Sequence, residues 1–222
     1  MRLRGLTFTV EAKKRTQTWP LRSKKVAAYL SDQDPKLKAV IDSLGPCRIK
    51  SDPDLFQVIC RTIIYQLIST KAANTIIGRV EKVLPNQRFE PEGVLKLGIK
   101  GLRKQGISRA KSGYLLGLAQ GAKSGELCPG DFFDLSDEEV CQKLCQFSGV
   151  GPWSAQMVLM FSLGRPDVLP YLDFGLRSSV RGLYGLREMP NKKKLEEITQ
   201  CWKPYRSAGV WYMWRRLESV PG

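Results

Sequence analysis

The absence of histidine limits which side chains of this chain could do chemistry. The 222 residues include six cysteines and no histidine, so Ser-His-Asp and Cys-His catalysis are excluded. The cysteines form no CxxC pair, and a zinc site would need four of them because no imidazole is present. Cys141 and Cys145 lie four residues apart, which is typical of small apolar residues buried on one helix face. Any chemistry must therefore come from carboxylates, lysines, hydroxyl groups or a bound metal ion.

Two aspartates in "RPDVLPYLDFGLRSSV" follow a proline-containing loop and precede a helical pattern. Asp173 stands at the loop-to-helix junction, where an aspartate is most simply an N-cap that accepts hydrogen bonds from the first turn. A catalytic carboxylate is the alternative, and the two roles can coexist because a cap holds the carboxylate in a fixed direction. We interpret Asp167 as a loop-shaping residue.

The stretch "FSGVGPWSAQMVLMF", residues 147–161, joins two expected helices through a glycine turn. Pro152 suits the first helical turn, and Gly149 and Gly151 permit backbone angles that other residues avoid. The backbone N–H groups of Gly149, Gly151 and Ser154 would then face an anion, aided by the helix dipole. The alternative is a plain αα-hairpin with a glycine cap.

Helical spacing also dominates the elements that must position these residues. Each expected helix start combines a capping side chain or a proline with an apolar three-four rhythm. The predicted starts are Asp34-Pro35, Asp52-Pro53, Ser108, Ser136 with Glu139 in capping-box spacing, and Pro152. Residues 6–10 alternate like a strand but have no second strand to pair with. We therefore predict an all-α fold with short connections.

The charge balance points to a polyanionic partner. Lysine and arginine number 36 against 21 acidic residues, which gives a net charge of +15. A basic surface attracts RNA, DNA and acidic membranes alike, and a merely basic protein is the plain alternative. No apolar run is long enough for a membrane span or a secretory signal. We expect an intracellular protein, in the cytoplasm or nucleoid of a prokaryote or the nucleus of a eukaryote.

Taken together, "LCQFSGVGPWSAQMVLMF" and "DVLPYLDFGLRSSV" resemble the helix-hairpin-helix, glycine/proline-rich loop and catalytic aspartate of base-excision DNA glycosylases. "IIYQLISTKAANTIIGRV", "GLRKQGISRAKSGYLLGLA" and "WKPYRSAGVWYMWR" resemble further segments of the 3-methyladenine DNA glycosylase II branch, in the same order. The resemblance covers residues 34–217 and implies the HhH-GPD glycosylase fold. It implies a central helical subdomain over 55–165 and a second one from 31–54 plus 166–222. We expect the basic segment 1–30 to be partly disordered.

The resemblance assigns catalysis to Asp173. A carboxylate beneath the deoxyribose would stabilise the cation that forms as the N-glycosidic bond breaks, and would help to orient water. Trp153 stands where lyase-active relatives place a Schiff-base lysine, so a monofunctional glycosylase that leaves an abasic site is implied. Trp153 is then a wall of the base pocket or, alternatively, ordinary core.

The resemblance also implies DNA contacts. Leu67 matches the side chain that fills the gap left by a flipped base, although helical spacing alone would bury it. Gln66 and Ser69 flank it and are expected at the minor-groove edge. Trp214 matches the pocket tryptophan of the family, and Met157 is a further pocket position. Tyr65, Tyr171 and Trp211 are weaker pocket candidates, some of which must be ordinary core. The basic residues beside the motifs are expected to contact phosphates, and they are Lys71, Arg177, Arg181, Arg109 and Lys111. The resemblance also implies Na⁺ or K⁺ on the backbone carbonyls of Cys145, Phe147 and Val150. Met157 replaces a tyrosine of a relative, which leaves the base preference open.

We therefore expect a monomeric glycosylase that removes alkylated purines from double-stranded DNA. The expected base is 3-methyladenine, with 7-methylguanine and ethenoadenine as further candidates. No cofactor is expected to be required, and no iron–sulfur cluster is expected because only Cys201 lies near the C-terminus. The alternatives are a non-catalytic DNA-binding helix-hairpin-helix protein and a glycosylase with lyase activity or with preference for oxidised or mismatched bases.

Overall fold

The computed structural model describes residues 24–219, and every regular element within that range is helical. The α-helices are α1 Lys24–Gln33, α2 Pro35–Leu44, α3 Leu55–Tyr65, α4 Thr70–Val83, α5 Pro91–Lys104, α6 Arg109–Ser124, α7 Asp137–Leu144, α8 Pro152–Phe161, α9 Phe174–Tyr184, α10 Lys192–Thr199 and α11 Arg206–Ser219. The prediction of an all-α fold is confirmed. Over the described range, no helix has the length and apolar character needed to cross a membrane. The strand-like residues 6–10 lie outside the described residues.

Most helix starts follow the capping chemistry read from the sequence. Asp34 caps α2 by accepting hydrogen bonds from two backbone N–H groups of its first turn. Ser136 and Glu139 form the expected capping box at α7, and Ser108 caps α6. Local side-chain chemistry therefore decides where these helices begin.

The predicted start of α3 at Asp52 is wrong. Asp54 is the N-cap, and its Oδ1 accepts the backbone N–H of Gln57 at 3.0 Å. Asp52 instead accepts the backbone N–H of Asp54 at 3.1 Å and pairs with Arg88 at 3.0 Å. The two aspartates share Arg88, which fixes the chain just before α3.

The expected boundary at residue 30 falls inside α1. Val26 and Leu30 of this helix are buried, so the helical domain includes Lys24 onwards. The part of the basic segment before Lys24 lies outside the described residues.

Helix α3 lies at the centre of one group of helices and is buried along almost its whole length. It packs against α4, α6 and α8, while α11 packs against α2 and α9. The ring of Phe161, at the end of α8, stacks on Trp214 of α11 with centroids 5.9 Å apart. Asp173, directly before α9, bonds to Trp153 of α8 and to Trp214 of α11, so the start of α9 lies beside both helices.

Candidate active site

Asp173 caps α9 and is held by three hydrogen-bond donors. Its Oδ1 accepts the backbone N–H of Leu176 at 2.6 Å and the indole N–H of Trp214 at 2.8 Å. Its Oδ2 accepts the indole N–H of Trp153 at 2.8 Å. The residue is half-buried, and a carboxylate oxygen accepts about two hydrogen bonds, so Oδ2 keeps capacity for one more donor. The capping role and an oriented, accessible carboxylate thus coexist at Asp173.

The two indoles come from different helices and meet at one carboxylate. Trp153 is the second residue of α8, and Trp214 lies in α11. Both rings are half-buried, and Trp214 is kept in place by its stacking on Phe161. From the sequence, Trp153 could be either core or a wall of the base pocket. The structure shows an additional role, because its indole N–H binds Asp173.

The loop before Asp173 is fastened to the first turn of α11. The guanidinium of Arg206 donates from Nε to Asp167 Oδ1 at 2.7 Å and from Nη2 to Asp167 Oδ2 at 2.8 Å. The hydroxyl of Ser207 accepts the backbone N–H of Val168 at 3.0 Å. Asp167 thus shapes this loop, as interpreted. Arg206 and Ser207 were not singled out from the sequence, because no local spacing signals a contact 39 residues away.

Leu67 is fully exposed at 102% of its reference area, and its φ is +59°. A leucine in the left-handed region costs roughly 1–2 kcal/mol, and an apolar side chain in water gains nothing in return. The structure therefore holds Leu67 outwards, not in the core that helical spacing alone would predict. Such a protruding apolar side chain is what insertion into a base stack requires.

Lys111 fixes the backbone that precedes Leu67. Its Nζ donates to the carbonyls of Ile64 at 2.8 Å and Gln66 at 2.6 Å, which are among the free carbonyls at the end of α3. Burial lowers the pKa of Lys111. The ammonium group is thus turned inwards onto the protein, which argues against the expected contact of Lys111 with a DNA phosphate.

Gln66 links the Leu67 segment to the glycine hairpin. Its amide nitrogen donates to the carbonyl of Gly149 and to Oγ of Ser154, both at 2.8 Å. Ser154 is only 1% exposed. This burial argues against the expectation that Ser154 offers a phosphate donor at the surface. The amide donor of Gln66 is likewise used inside the protein and not presented towards a groove.

The two hairpin glycines differ in what they require. Gly149 has a φ of +85°, and a Cβ there would lie 2.3 Å from the ring of Tyr114. Gly151 has a φ of −102° and open space around a built Cβ, so the expected special backbone angle is found only at Gly149. Pro152 begins α8 as predicted, and no side chain caps the first turn. The backbone N–H groups in the first turn of α8 are therefore not capped by a side chain.

The hairpin carbonyls implied to hold a monovalent cation keep acceptor capacity for such an ion. The carbonyl oxygens of Cys145 and Val150 accept no hydrogen bond from the described residues. That of Phe147 accepts only the backbone N–H of Val150 at 3.0 Å and keeps a second lone pair. Carbonyl oxygens are the ligands that replace the hydration shell of alkali cations.

The remaining candidates for the base pocket differ in burial, since two are in the core and two are half-buried. Met157 and Trp211 are buried at 5% and 8% exposure, as members of the apolar core. The Tyr65 hydroxyl bonds to the Asn74 side chain of α4, and Tyr171 is half-buried. Of the aromatic residues proposed for the pocket, Trp153 and Trp214 are the ones that bond to the carboxylate of Asp173.

The basic residues expected to bind phosphates also differ, because some are exposed and one is bonded to a loop of the protein. Lys71 is exposed in the first turn of α4 and forms no ion pair within residues 24–219, and Arg109 and Arg181 are exposed as well. Arg177 donates its Nε to the carbonyl of Pro190 at 2.9 Å, so this group is occupied by a loop. Ser69 caps α4 by accepting the backbone N–H of Ala72 at 3.3 Å. Its proposed minor-groove role would have to be shared with this cap.

Cys141 and Cys145 form no disulfide, and their surroundings do not activate their thiols. Burial raises the pKa of Cys141 to about 11, and it also raises the pKa of Cys145. Cys145 is exposed and Cys141 is half-buried, so the expectation that both are buried is wrong. A thiol with a raised pKa is a poor nucleophile at neutral pH.

Comparisons with known proteins agree on one family. The description "HhH-GPD superfamily base excision DNA repair protein" matches residues 60–204. DNA-3-methyladenine glycosylase 1 of Schizosaccharomyces pombe is 30% identical over 196 residues, which is 86% of each chain. A solved S. pombe 3-methyladenine DNA glycosylase in complex with abasic DNA has a TM-score of 0.82 at 29% identity, covering 88% of this chain and 98% of that one. A DNA-3-methyladenine glycosidase from Bacillus halodurans has a TM-score of 0.71 at 32% identity, covering 87% and 89%.

Proposed function

Because this chain belongs to the HhH-GPD superfamily of base excision DNA repair proteins, we propose that it is a monofunctional DNA glycosylase acting on alkylated purines. In this reaction the N-glycosidic bond of a damaged nucleotide in duplex DNA is hydrolysed and an abasic site remains. The observation that carries the proposal is Asp173, a half-buried carboxylate fixed by two indole N–H groups and by the first turn of α9.

The carboxylate of Asp173 performs the electrostatic part of the reaction. As the glycosidic bond breaks, positive charge develops on the deoxyribose, and a pre-oriented carboxylate stabilises it without reorganisation. The remaining acceptor capacity of Oδ2 suits the water that attacks the sugar. No lysine occupies position 153, so base release proceeds without a Schiff base to the protein.

A purine alkylated at a ring nitrogen, such as 3-methyladenine or 7-methylguanine, fits this arrangement because it already carries positive charge. Such a base leaves readily, so a protonating side chain is not needed, and the lack of histidine is no obstacle. The indoles of Trp153 and Trp214 provide π-faces that attract a cationic base. The names of the relatives support 3-methyladenine as the main substrate, with 7-methylguanine and ethenoadenine as further candidates.

Access to the damaged base requires flipping, and Leu67 is the residue placed to fill the gap. Its full exposure and its backbone, pinned by Lys111, support this role. The uncapped start of α8 and the exposed Lys71 would bind phosphates of the same duplex. Na⁺ or K⁺ on the carbonyls of Cys145, Phe147 and Val150 would add positive charge beside a phosphate. We infer an intracellular monomer.

The decisive test compares wild type with Asp173→Asn in single-turnover release of 3-methyladenine from a duplex oligonucleotide. Asparagine also caps helices well, so the variant should fold. We expect its excision rate to fall by at least about 100-fold, with duplex affinity changed only a few-fold. Asp42→Asn, an exchange on the exposed face of α2, is the matched control.

Three outcomes would contradict parts of the proposal. Full excision by Asp173→Asn would remove the carboxylate from the mechanism. Duplex binding by wild type without base release from a panel of damaged bases would favour a non-catalytic DNA-binding protein. Strand nicking without added base would indicate lyase activity.

A further inference from the structure

Gly175 is the second residue of α9 and lies beside the carboxylate of Asp173. A Cβ built at Gly175 would lie 3.2 Å from Asp173 Oδ1 and 3.4 Å from Trp214 Cδ1. Its φ is outside the left-handed region, so the backbone does not demand glycine there. Space, and not backbone conformation, is therefore what a side chain at this position would disturb.

We propose that Gly175 is a positioning residue of the active site, whose missing side chain allows Trp214 to hold Asp173. This inference rests on the proposed function. Cδ1 of Trp214 is the ring carbon bonded to the donor nitrogen Nε1. Oδ1 of Asp173 accepts the hydrogen bond from that nitrogen. A methyl group at Gly175 would thus press on both ends of one 2.8 Å hydrogen bond.

Neither end of that bond can yield freely. Asp173 Oδ1 is also bonded to the backbone of Leu176 at 2.6 Å. The indole of Trp214 stacks on Phe161 at 5.9 Å with an interplanar angle of 19°. Contacts of 3.2–3.4 Å are tighter than a Cβ normally makes, so a shift of a few tenths of an ångström must be taken up by the carboxylate or the ring. Catalytic groups tolerate displacements of only about 0.5 Å.

The glycines in the middle of α6 provide the contrast. Gly117 is exposed in that helix and has no atom within 4 Å of a built Cβ. Alanine is the better helix former, so replacing either Gly117 or Gly175 should leave the melting temperature unchanged or raise it. Gly117 lies in the middle of its helix and Gly175 in the first turn, and the difference that bears on the active site is what the new methyl group meets.

The test measures single-turnover excision, duplex affinity and melting temperature for Gly175→Ala and for the control Gly117→Ala. We expect Gly175→Ala to lose about tenfold in excision rate with unchanged duplex affinity and no loss of melting temperature. The loss should be the same for small and large damaged bases, because the carboxylate and not the pocket is displaced. Gly117→Ala should match wild type in excision rate and duplex affinity, and its melting temperature should be unchanged or raised.

A double-mutant cycle separates positioning from other roles. Trp214→Phe removes the indole N–H, so adding Gly175→Ala to it should cost much less than in wild type. The indole N–H resonance of Trp214 in ¹⁵N-labelled protein, identified by its loss in Trp214→Phe, should shift in Gly175→Ala and not in Gly117→Ala. This readout needs no activity, so it tests the contact even if wild type excises no base and the proposed function fails.

Several results would overturn the inference. An unmoved Trp214 resonance or a wild-type excision rate in Gly175→Ala would show that the methyl group is accommodated without displacing the pair. A loss confined to large bases would assign Gly175 to pocket size instead. A lowered melting temperature, or a fully additive loss in the Trp214→Phe background, would indicate general structural damage.

Discussion

The side-chain amide of Gln66 donates to the carbonyl of Gly149 at 2.8 Å, across 83 residues of sequence. This bond joins the segment that exposes Leu67 to the hairpin that begins α8. A side chain that fills a flipped-base gap must stand at a fixed distance from the phosphate contacts of the same duplex. Gln66 therefore couples the two surfaces that we propose to touch DNA.

Replacing Gln66 with alanine should uncouple these surfaces. Gln66→Ala removes the bonds to Gly149 and to Ser154, so we expect the free energy of unfolding to fall by about 1 kcal/mol. Excision from duplex DNA should fall about tenfold, because Leu67 is no longer fixed relative to the hairpin. Single-turnover assays and urea denaturation measure the two effects, with Gln120→Ala, on the exposed face of α6, as control. A wild-type excision rate in Gln66→Ala would contradict the coupling.

Leu67 should show opposite effects on stability and activity. Because its φ is +59° and its side chain is fully exposed, Leu67→Gly should raise the free energy of unfolding by about 1 kcal/mol. The excision rate of the same variant on paired duplex DNA should fall by about 10-fold or more. Excision from single-stranded DNA should be unaffected, since nothing has to be flipped out. Val83→Ala, an exposed apolar position on α4, is the control. A destabilised Leu67→Gly variant would show that Leu67 packs against the protein in solution.

The hairpin glycines should separate a folding role from a binding role. Gly149→Ala places a methyl group 2.3 Å from the ring of Tyr114 at a φ of +85°, so we expect about 3 kcal/mol of destabilisation. Gly151→Ala meets nothing within 4 Å and should keep wild-type stability. Its methyl group stands at the uncapped start of α8, so we expect weaker duplex binding in fluorescence anisotropy. Equal stability of the two variants would contradict the clash with Tyr114.

Local chemistry made much of the fold predictable. The caps at Asp34 and Ser136 and the proline start of α8 depend on residues within one turn, so the sequence shows them directly. The start of α3 was placed wrongly because Asp52 and Asp54 both suit a cap. Asp54 is the cap because it directly precedes the first helical residue, Leu55, and Arg88, which lies 34–36 residues away, binds both aspartates.

The partners of the site residues were less accessible to sequence reasoning. The resemblance pointed to Asp173, but its bonds to Trp153 and Trp214 span 20 and 41 residues. Helical spacing would bury Leu67, and only the left-handed turn after α3 exposes it. These contacts depend on how helices pack against one another, which periodicity does not encode.

Lys111 provides a further test, because its charge is used inside the protein. Lys111→Met keeps an unbranched side chain but leaves the carbonyls of Ile64 and Gln66 without their donor. We expect the free energy of unfolding to fall by about 1–3 kcal/mol, and excision to fall more than duplex affinity because the Leu67 segment loosens. Lys104→Met, at an exposed position of α5, is the control. Equal losses of affinity and excision would instead restore Lys111 as a phosphate contact.

The pH dependence of stability gives the sign of the Lys111 contribution. Burial lowers the pKa of Lys111 in the folded protein, whereas the unfolded chain keeps the ordinary value of about 10.4. Between these two values the unfolded chain binds more protons, so the contribution of this group to the free energy of unfolding rises with pH. Below the folded value both states are protonated, and the contribution is constant. Urea denaturation at a series of alkaline pH values should therefore show the difference between wild type and Lys111→Met growing with pH. A difference that shrinks over this range would mean that the ammonium group gains more from the two carbonyls than it loses through burial.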